Sequence, residues 1–179
     1  MTPTTGSPDA PSIHASAVCV GNLAVLIRGP SGAGKSRLVF DLILAGRAGQ
    51  IPPTLLVGDD RVYLERRCGD VMVRPVPRLA GLLEIRGLGI RRCDFMPEAA
   101  VGLVVDLAAG DAARLPSPQG LQTTLLEVDL PRIPVAIGFS PLPLIAGYLT
   151  TTSGYVEGAA QSDCRKQIGN HISPTIATK

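Results

Sequence analysis

Lysine is nearly missing from this 179-residue chain: of 17 basic residues only Lys35, Lys166 and Lys179 are lysines, and the others are arginine. Tryptophan is absent and aromatic residues make up 3%, so a core has to be built from aliphatic side chains. The two histidines, His14 and His171, and the four cysteines, Cys19, Cys68, Cys93 and Cys164, form no C-x-x-C or His-pair spacing. That scatter argues against a zinc site or a disulfide framework and for reduced structural thiols. Long apolar runs are also missing. The longest, Ala15 to Ile27, is broken by Gly21 and Asn22 and falls short of the roughly 18 residues of a membrane span. Residues 1–12 are rich in Thr, Ser and Pro and lack the basic-then-apolar order of a secretion signal, which predicts a flexible lead-in and a cytoplasmic protein. A net charge of +2 is too small to suggest nucleic-acid binding. Locally the balance differs, since Arg61 to Arg92 holds eight arginines against Glu65, Asp70 and Glu84. Those arginines are either a surface that faces anions or the solvated tips of strands.

What is present is concentrated in one octapeptide. Gly29-Pro30-Ser31-Gly32-Ala33-Gly34-Lys35-Ser36 fits G-x-x-x-x-G-K-[ST] in full. The glycines let the backbone fold into a nest whose N–H groups converge on phosphate oxygens. The following helix adds the positive end of its dipole, Lys35 brings a mobile charge to the outer phosphates, and Ser36 is the expected Mg2+ ligand. The flanks agree: Leu23 to Ile27 reads as a buried strand, and Leu38, Val39, Leu42 and Ile43 recur at helical spacing. A chain that uses arginine nearly everywhere has lysine at the loop position that calls for it.

Length and a 45% hydrophobic content predict one well-buried domain, spanning 13–149, followed by a polar, mobile tail over 150–179. Ala15–Val20 and Leu23–Ile27 read as a hairpin around Gly21-Asn22, the helix runs from Lys35 to about Ala45, and Thr54–Val57 is a buried strand ending at Gly58-Asp59-Asp60. Val62–Arg66 and Val71–Val76 alternate around Cys68-Gly69-Asp70, which predicts an antiparallel hairpin and hence a mixed sheet. In Leu83–Ile90 two glycines imply close backbone approach or a bend. Further strands are expected over Val101–Leu107, Leu125–Val128 and Ile133–Ile137, with Pro131, Pro134, Pro141 and Pro143 marking edges or loops.

A phosphate loop alone serves kinases, ATPases, GTPases and transporters. No N-K-x-D segment for base recognition and no ABC signature segment is found. Three segments, Gly29–Ser36, Val57-Gly-Asp-Asp-Arg-Val62 and above all Leu83-Glu-Ile-Arg-Gly-Leu-Gly-Ile90, resemble the bifunctional HPr kinase/phosphorylases. The resemblance runs from about Ile13 to Ile137 and is to the short, catalytic-domain-only form of alphaproteobacteria. It implies an α/β fold with a P-loop-containing mixed β-sheet and flanking helices, similar to phosphoenolpyruvate carboxykinase. It also implies ATP and Mg2+ as cofactors, an HPr-type phosphocarrier as the partner phosphorylated on serine, and a hexameric homo-oligomer.

Position by position, the resemblance implies that His14, 21 residues ahead of Lys35, is the family's active-site histidine. By the same resemblance Asp60 is the catalytic aspartate that takes the serine proton, and Glu84 is a second Mg2+ ligand beside Ser36, with Asp59 assisting through water. Arg86 either binds phosphate or pairs with Glu84. Arg114, in an Ala-Arg-Leu-Pro context where the family has D-R-x-G, stands for its remaining catalytic arginine. The segment Ile133–Ser140 has no arginine where many members carry R-P-G-R-N, a segment used in phosphorolysis. Kinase activity is therefore expected more firmly than phosphorylase activity. Two other readings fit a bare loop: a regulatory ATP-binding protein with little catalysis, and a small-molecule kinase.

Overall fold

The structure is a computed structural model, and it describes residues 11–152. The expected lead-in lies mostly outside the described residues, as do Cys164 and all of the expected tail beyond Thr152.

Turn chemistry sets up the first half of the fold. β1 (Ile13–His14) and β2 (Ser16–Val20) precede β3 (Leu23–Arg28), and β2 pairs antiparallel with β3 through Gly21, whose φ of +59° suits a two-residue hairpin. After the glycine loop, α1 covers Lys35–Arg47 and buries Leu38, Val39, Leu42 and Ile43, the periodic set. It stops at Gly49, φ +70°, where Gly49 N donates to Gly46 O and Gln50 N to Ala45 O, the paired bonds of a Schellman cap. β4 (Thr54–Gly58) follows, then the hairpin of β5 (Arg61–Arg67) and β6 (Asp70–Pro75), whose turn places Cys68 and Gly69 at φ +53° and +92°.

The segment Leu83–Ile90 falls in a small separate hairpin. β7 (Leu82–Ile85) and β8 (Gly89–Arg92) pair through a turn closed by Leu88 N on Ile85 O. Gly87 and Gly89 sit at φ +89° and +77°, and a Cβ on either would meet nothing within 4 Å. Of the two explanations for these glycines, the bend holds and close approach does not. β9 (Ala99–Leu107) then lies parallel to β3, and β11 (Val128–Val135) parallel to β9, while β10 (Gln122–Leu125) pairs antiparallel with β11. α2 (Pro141–Thr150) closes the described chain.

Two sequence expectations fail here. Leu125–Val128 is no strand: Leu126 and Glu127, at φ +48° and +62°, form the turn between β10 and β11, and neither residue type advertises a left-handed turn. Pro141 and Pro143 do not mark a loop. They stand in the first turn of α2, where a proline lacks no helical hydrogen bond. Pro131 and Pro134 keep to the edge rule, because residues 128–131 of β11 pair only with β10 and residues 132–135 only with β9.

Among the described residues, nine strands form one mixed sheet, in which β1-β5-β6-β9-β3-β2-β4 run in order and β10 and β11 branch from β9. Its two faces carry different cores. Val18, Val20, Val25, Ile27, Leu56, Leu103 and Val105 pack under α1 and α2, whereas Ala17, Cys19, Ala24, Leu26, Val57, Val62 and Val73 fill the opposite face. The absence of tryptophan is met by small and branched aliphatics packed at close range. No described helix is long and apolar enough to cross a membrane.

Gly46 shows how close the helix approaches the sheet: a Cβ there would lie 2.8 Å from the backbone N and side chain of Thr54. Overpacking of this kind costs roughly 1–3 kcal/mol, against about 1 kcal/mol gained from replacing a helical glycine. Gly46→Ala is therefore expected to lose about 1 kcal/mol net, seen in a thermal melt as a midpoint lowered by about 2–4 °C.

Candidate active site

The parallel strands β3 and β9 end side by side, and the glycine loop leaves from that edge. Gly29 touches it most closely: a Cβ at Gly29 (φ +145°) would lie 2.9 Å from the carbonyl oxygen of Leu107, so the loop is pressed onto the end of β9. Gly32 and Gly34 also take positive φ, +78° and +94°, but a Cβ on either meets nothing within 4 Å. The loop is thus anchored at its root and open over its glycines, the shape of a cradle for a phosphate chain. Lys35 is buried, and its Nζ donates to the carbonyls of Gly29 and Pro30 at 3.0 and 3.1 Å. Burial pushes this ammonium below its ordinary value, opposed by the nearby charges of Asp60 and Asp59.

The two aspartates after β4 diverge. Asp59 is 4% exposed and accepts three hydrogen bonds, from Ser16 Oγ (2.6 Å) and Ser36 Oγ (2.9 Å) on Oδ1 and from the backbone N of Glu84 (3.3 Å) on Oδ2. The Ser36 hydroxyl is thus bonded to the Asp59 carboxylate directly. Asp60 points outward. It centres a three-residue turn in which Arg61 N donates to Asp59 O, and its φ of +65° is one that few residues besides glycine, asparagine and aspartate accept. His14 centres a similar turn, Ala15 N to Ile13 O, on the neighbouring strand, where it pairs in register with Arg61. The two side chains meet: His14 Nε2 lies 3.5 Å from Asp60 Oδ1. His14 is not on the strand that runs into the loop, which is β3, but on the two-residue β1.

Ser36, Asp59, Asp60, His14 and Lys35 are thus brought together, along with the backbone of Glu84, whose own side chain is exposed on β7. Two expected residues make no hydrogen bond or ion pair with this group. Arg86 is exposed at the tip of the β7–β8 hairpin, and Arg114 is exposed in the loop between β9 and β10 with no hydrogen bond or ion pair to another described residue. Of the eight arginines in the basic stretch, Arg66 pairs with Glu127, Arg67 with Glu98, and Arg74 stacks on Tyr63, so a good part of that charge is structural.

Residue-by-residue reading missed a charge network at the loop's root. Arg28, the residue before Gly29, forks onto Asp106 at 2.7 and 2.8 Å; Arg132 also binds Asp106 (2.6 Å) and forks onto Asp111 at 2.6 and 2.9 Å. Burial pushes the Asp106 carboxyl up, but the two guanidiniums outweigh it and hold it below its ordinary value. The bond from Arg132 lowers Asp111 likewise, and Arg132 is itself pushed further up, chiefly by Asp111. The only sequence signal was a charged residue at the end of each of two apolar strands.

The donor set suits a divalent cation of the Mg2+ type. Ser36 Oγ and the Asp59 carboxylate are hard oxygen donors held together, and no group of three or more His, Cys, Asp or Glu converges among the described residues. Sparse protein ligation of this sort is what Mg2+ uses when phosphates complete its shell.

The family model for the HPr Serine kinase C-terminal domain matches residues 8–140, and the chain belongs to that family. Proteins described as HPr kinase/phosphorylase from Geobacillus thermodenitrificans and Mycoplasma mycoides are 31% and 32% identical over 137 and 146 residues, 70% and 74% of this chain. The chain spans less than half of these relatives, 42% and 44% of their lengths. The HPr(Ser) kinase/phosphatase structure from Coxiella burnetii shares the fold at a TM-score of 0.61 and 24% identity, over 78% of this chain and 93% of that one. The mixed α/β architecture expected from the sequence is therefore the family's own.

The pH dependence of the network follows from the direction of its shifts. A carboxyl whose folded value is depressed adds stability above its unfolded value, about 3.9, and that stability is lost as pH falls through the folded value. Asp106→Asn is expected to cost about 1.5–3 kcal/mol at neutral pH and to flatten the acid limb below about pH 4. Denaturant melts of both proteins between pH 7 and 2.5 check this, and equal acid limbs would show that Asp106 titrates without a partner.

Proposed function

We propose that this protein is an ATP-dependent kinase that phosphorylates a serine of an HPr-type phosphocarrier protein in the cytoplasm. The observation that carries the reading is the division of labour at one strand end. The buried Asp59 is bonded to Ser36 of the loop, and the exposed Asp60 stands beside His14, facing solvent where an acceptor hydroxyl can arrive. Nucleotide binding alone needs no exposed aspartate–histidine pair beyond the loop.

The open glycines receive the phosphate chain, and Lys35 exchanges its bonds to the Gly29 and Pro30 carbonyls for the outer phosphates. Ser36 and Glu84 would hold Mg2+, which would supply neutralising charge on the phosphate oxygens. Asp60 accepts the proton of the serine hydroxyl as its oxygen attacks the terminal phosphorus in line, and ADP leaves. His14, at 3.5 Å, orients the Asp60 carboxylate. Arg114 offsets charge on the transferring group. Association into a homo-oligomer, a hexamer by family resemblance, belongs to the same reading; Ile137 and Phe139, 83% and 71% exposed, are apolar surface for such contacts.

Transfer from γ-labelled ATP to a purified HPr-type protein, beside a version whose acceptor serine is alanine, tests the reading. Label dependent on that serine is expected. Asp60→Asn is expected to retain ATP binding and lose about 100- to 10,000-fold in transfer, the range for a missing general base. Parental transfer by the variant would sink the assignment of Asp60. ATP binding without label on the carrier would favour a regulatory binding protein instead. A chase with inorganic phosphate that releases pyrophosphate would add the phosphorylase activity.

A further inference from the structure

Ser16 is fully buried, and the site described above gives it no role. Among the described residues the other buried polar side chains are Lys35, Asp59 and Thr54; the first two belong to the loop site, and Thr54 caps its own turn by donating to Pro52 O. Ser16 donates to Asp59 Oδ1 at 2.6 Å, across 43 residues of sequence.

Its position is built by the backbone. Ser16 falls in phase with Val18 and Val20, the β2 residues that pack under α1, so a row that is apolar beneath the helix turns polar at its end nearest the loop. β2 and β4 pair as Val18 with Leu56 and then as Ala17 with Gly58, so that Val57 is bulged out of register. Without that bulge Ser16 would lie opposite Gly58. With it, the next pair along is Ser16 and Asp59. Bulges beside active sites commonly re-aim a side chain in this way.

Both serines use the same carboxylate oxygen. A hydroxyl that ligates a cation through a lone pair must direct its proton elsewhere, and Asp59 Oδ1 receives the proton of Ser36. We propose that Ser16 is a positioning residue of the cation site: it fixes Asp59 from the strand side, and Asp59 in turn orients the Ser36 hydroxyl. Ser16 touches no ligand itself. The inference rests on the nucleotide-binding reading given above.

The test is Mn2+ binding to the full chain in the presence of a non-hydrolysable ATP analogue, followed by paramagnetic resonance, with analogue binding in chelator and thermal melting measured alongside. Ser16→Ala is expected to weaken Mn2+ binding about 10- to 100-fold, the usual effect of losing an outer partner of a metal ligand, while analogue binding in chelator is unchanged. Ser16→Thr keeps the hydroxyl and is expected to keep the cation affinity even where its extra methyl lowers the melting point. Wild-type Mn2+ affinity in Ser16→Ala, whatever the melting point, overturns the role of Ser16 and leaves the nucleotide reading standing. Absence of cation-dependent analogue binding in the parent protein overturns both.

Discussion

A carboxylate withdrawn from water has to be supplied with donors, and Asp59 is the point where this fold meets that demand. Its three donors come from three elements: Ser16 on β2, Ser36 in the first turn of α1 and the backbone of Glu84 on β7. One buried carboxylate thus ties the main sheet, the helix that follows the loop and the β7–β8 hairpin to a common point. Local propensity would not bring these segments together. β7 pairs only with β8, so its seat on the domain rests on the packing of Leu83 into the core under α1 and on such contacts as the Glu84 N–H bond.

The second fixed point is Asp106 on β9, with β3 and β2 between it and β4, and it works by the opposite economy. Asp106 is shared between two guanidiniums, Arg28 at the end of β3 and Arg132 within β11, and Arg132 passes the connection on to Asp111 in the loop that carries Arg114. Arg28 immediately precedes Gly29. The root of the glycine loop and the root of the Arg114 loop are therefore held by one network, so a shift in either would be felt by the other. Planar forks explain the choice of arginine, because lysine could not satisfy both oxygens of one carboxylate and keep its direction.

The elements most legible in the sequence were those marked by backbone chemistry. The hairpin at Gly21, the loop at Gly29–Gly34 and the hairpin at Cys68-Gly69 each carry a glycine that the chain needs at positive φ. Where that code was silent, the reading failed. Leu126 and Glu127 adopt left-handed angles with no glycine to announce them, and the prolines of α2 are equally at home in a loop or a first helical turn. At the site, the loop motif singled out Lys35 and Ser36 and the family resemblance pointed to His14 and Asp60, but the link from Ser16 to Asp59 depends on a one-residue bulge between β2 and β4. A bulge leaves no mark in the hydrophobic pattern when the residue it displaces, Val57, is itself buried. The Arg28–Asp106 and Arg132–Asp106 bonds span 78 and 26 residues, and such pairings follow from strand order, which composition does not encode.

The same strand order accounts for the different fates of adjacent aspartates. Two carboxylates in sequence at a strand end repel if both are buried, and neither is well placed for chemistry if both are solvated. The turn centred on Asp60 resolves this by rotating the second side chain out of the sheet at the cost of a left-handed backbone, while the bulge before it aligns the first with Ser16. Lys35 sits within the field of both. Its ammonium is held by the loop's own carbonyls, whereas Arg28 at the loop's root is locked in a fork onto Asp106. On the proposed reading, lysine, rare elsewhere in the chain, occupies the position where a charge has to change partners.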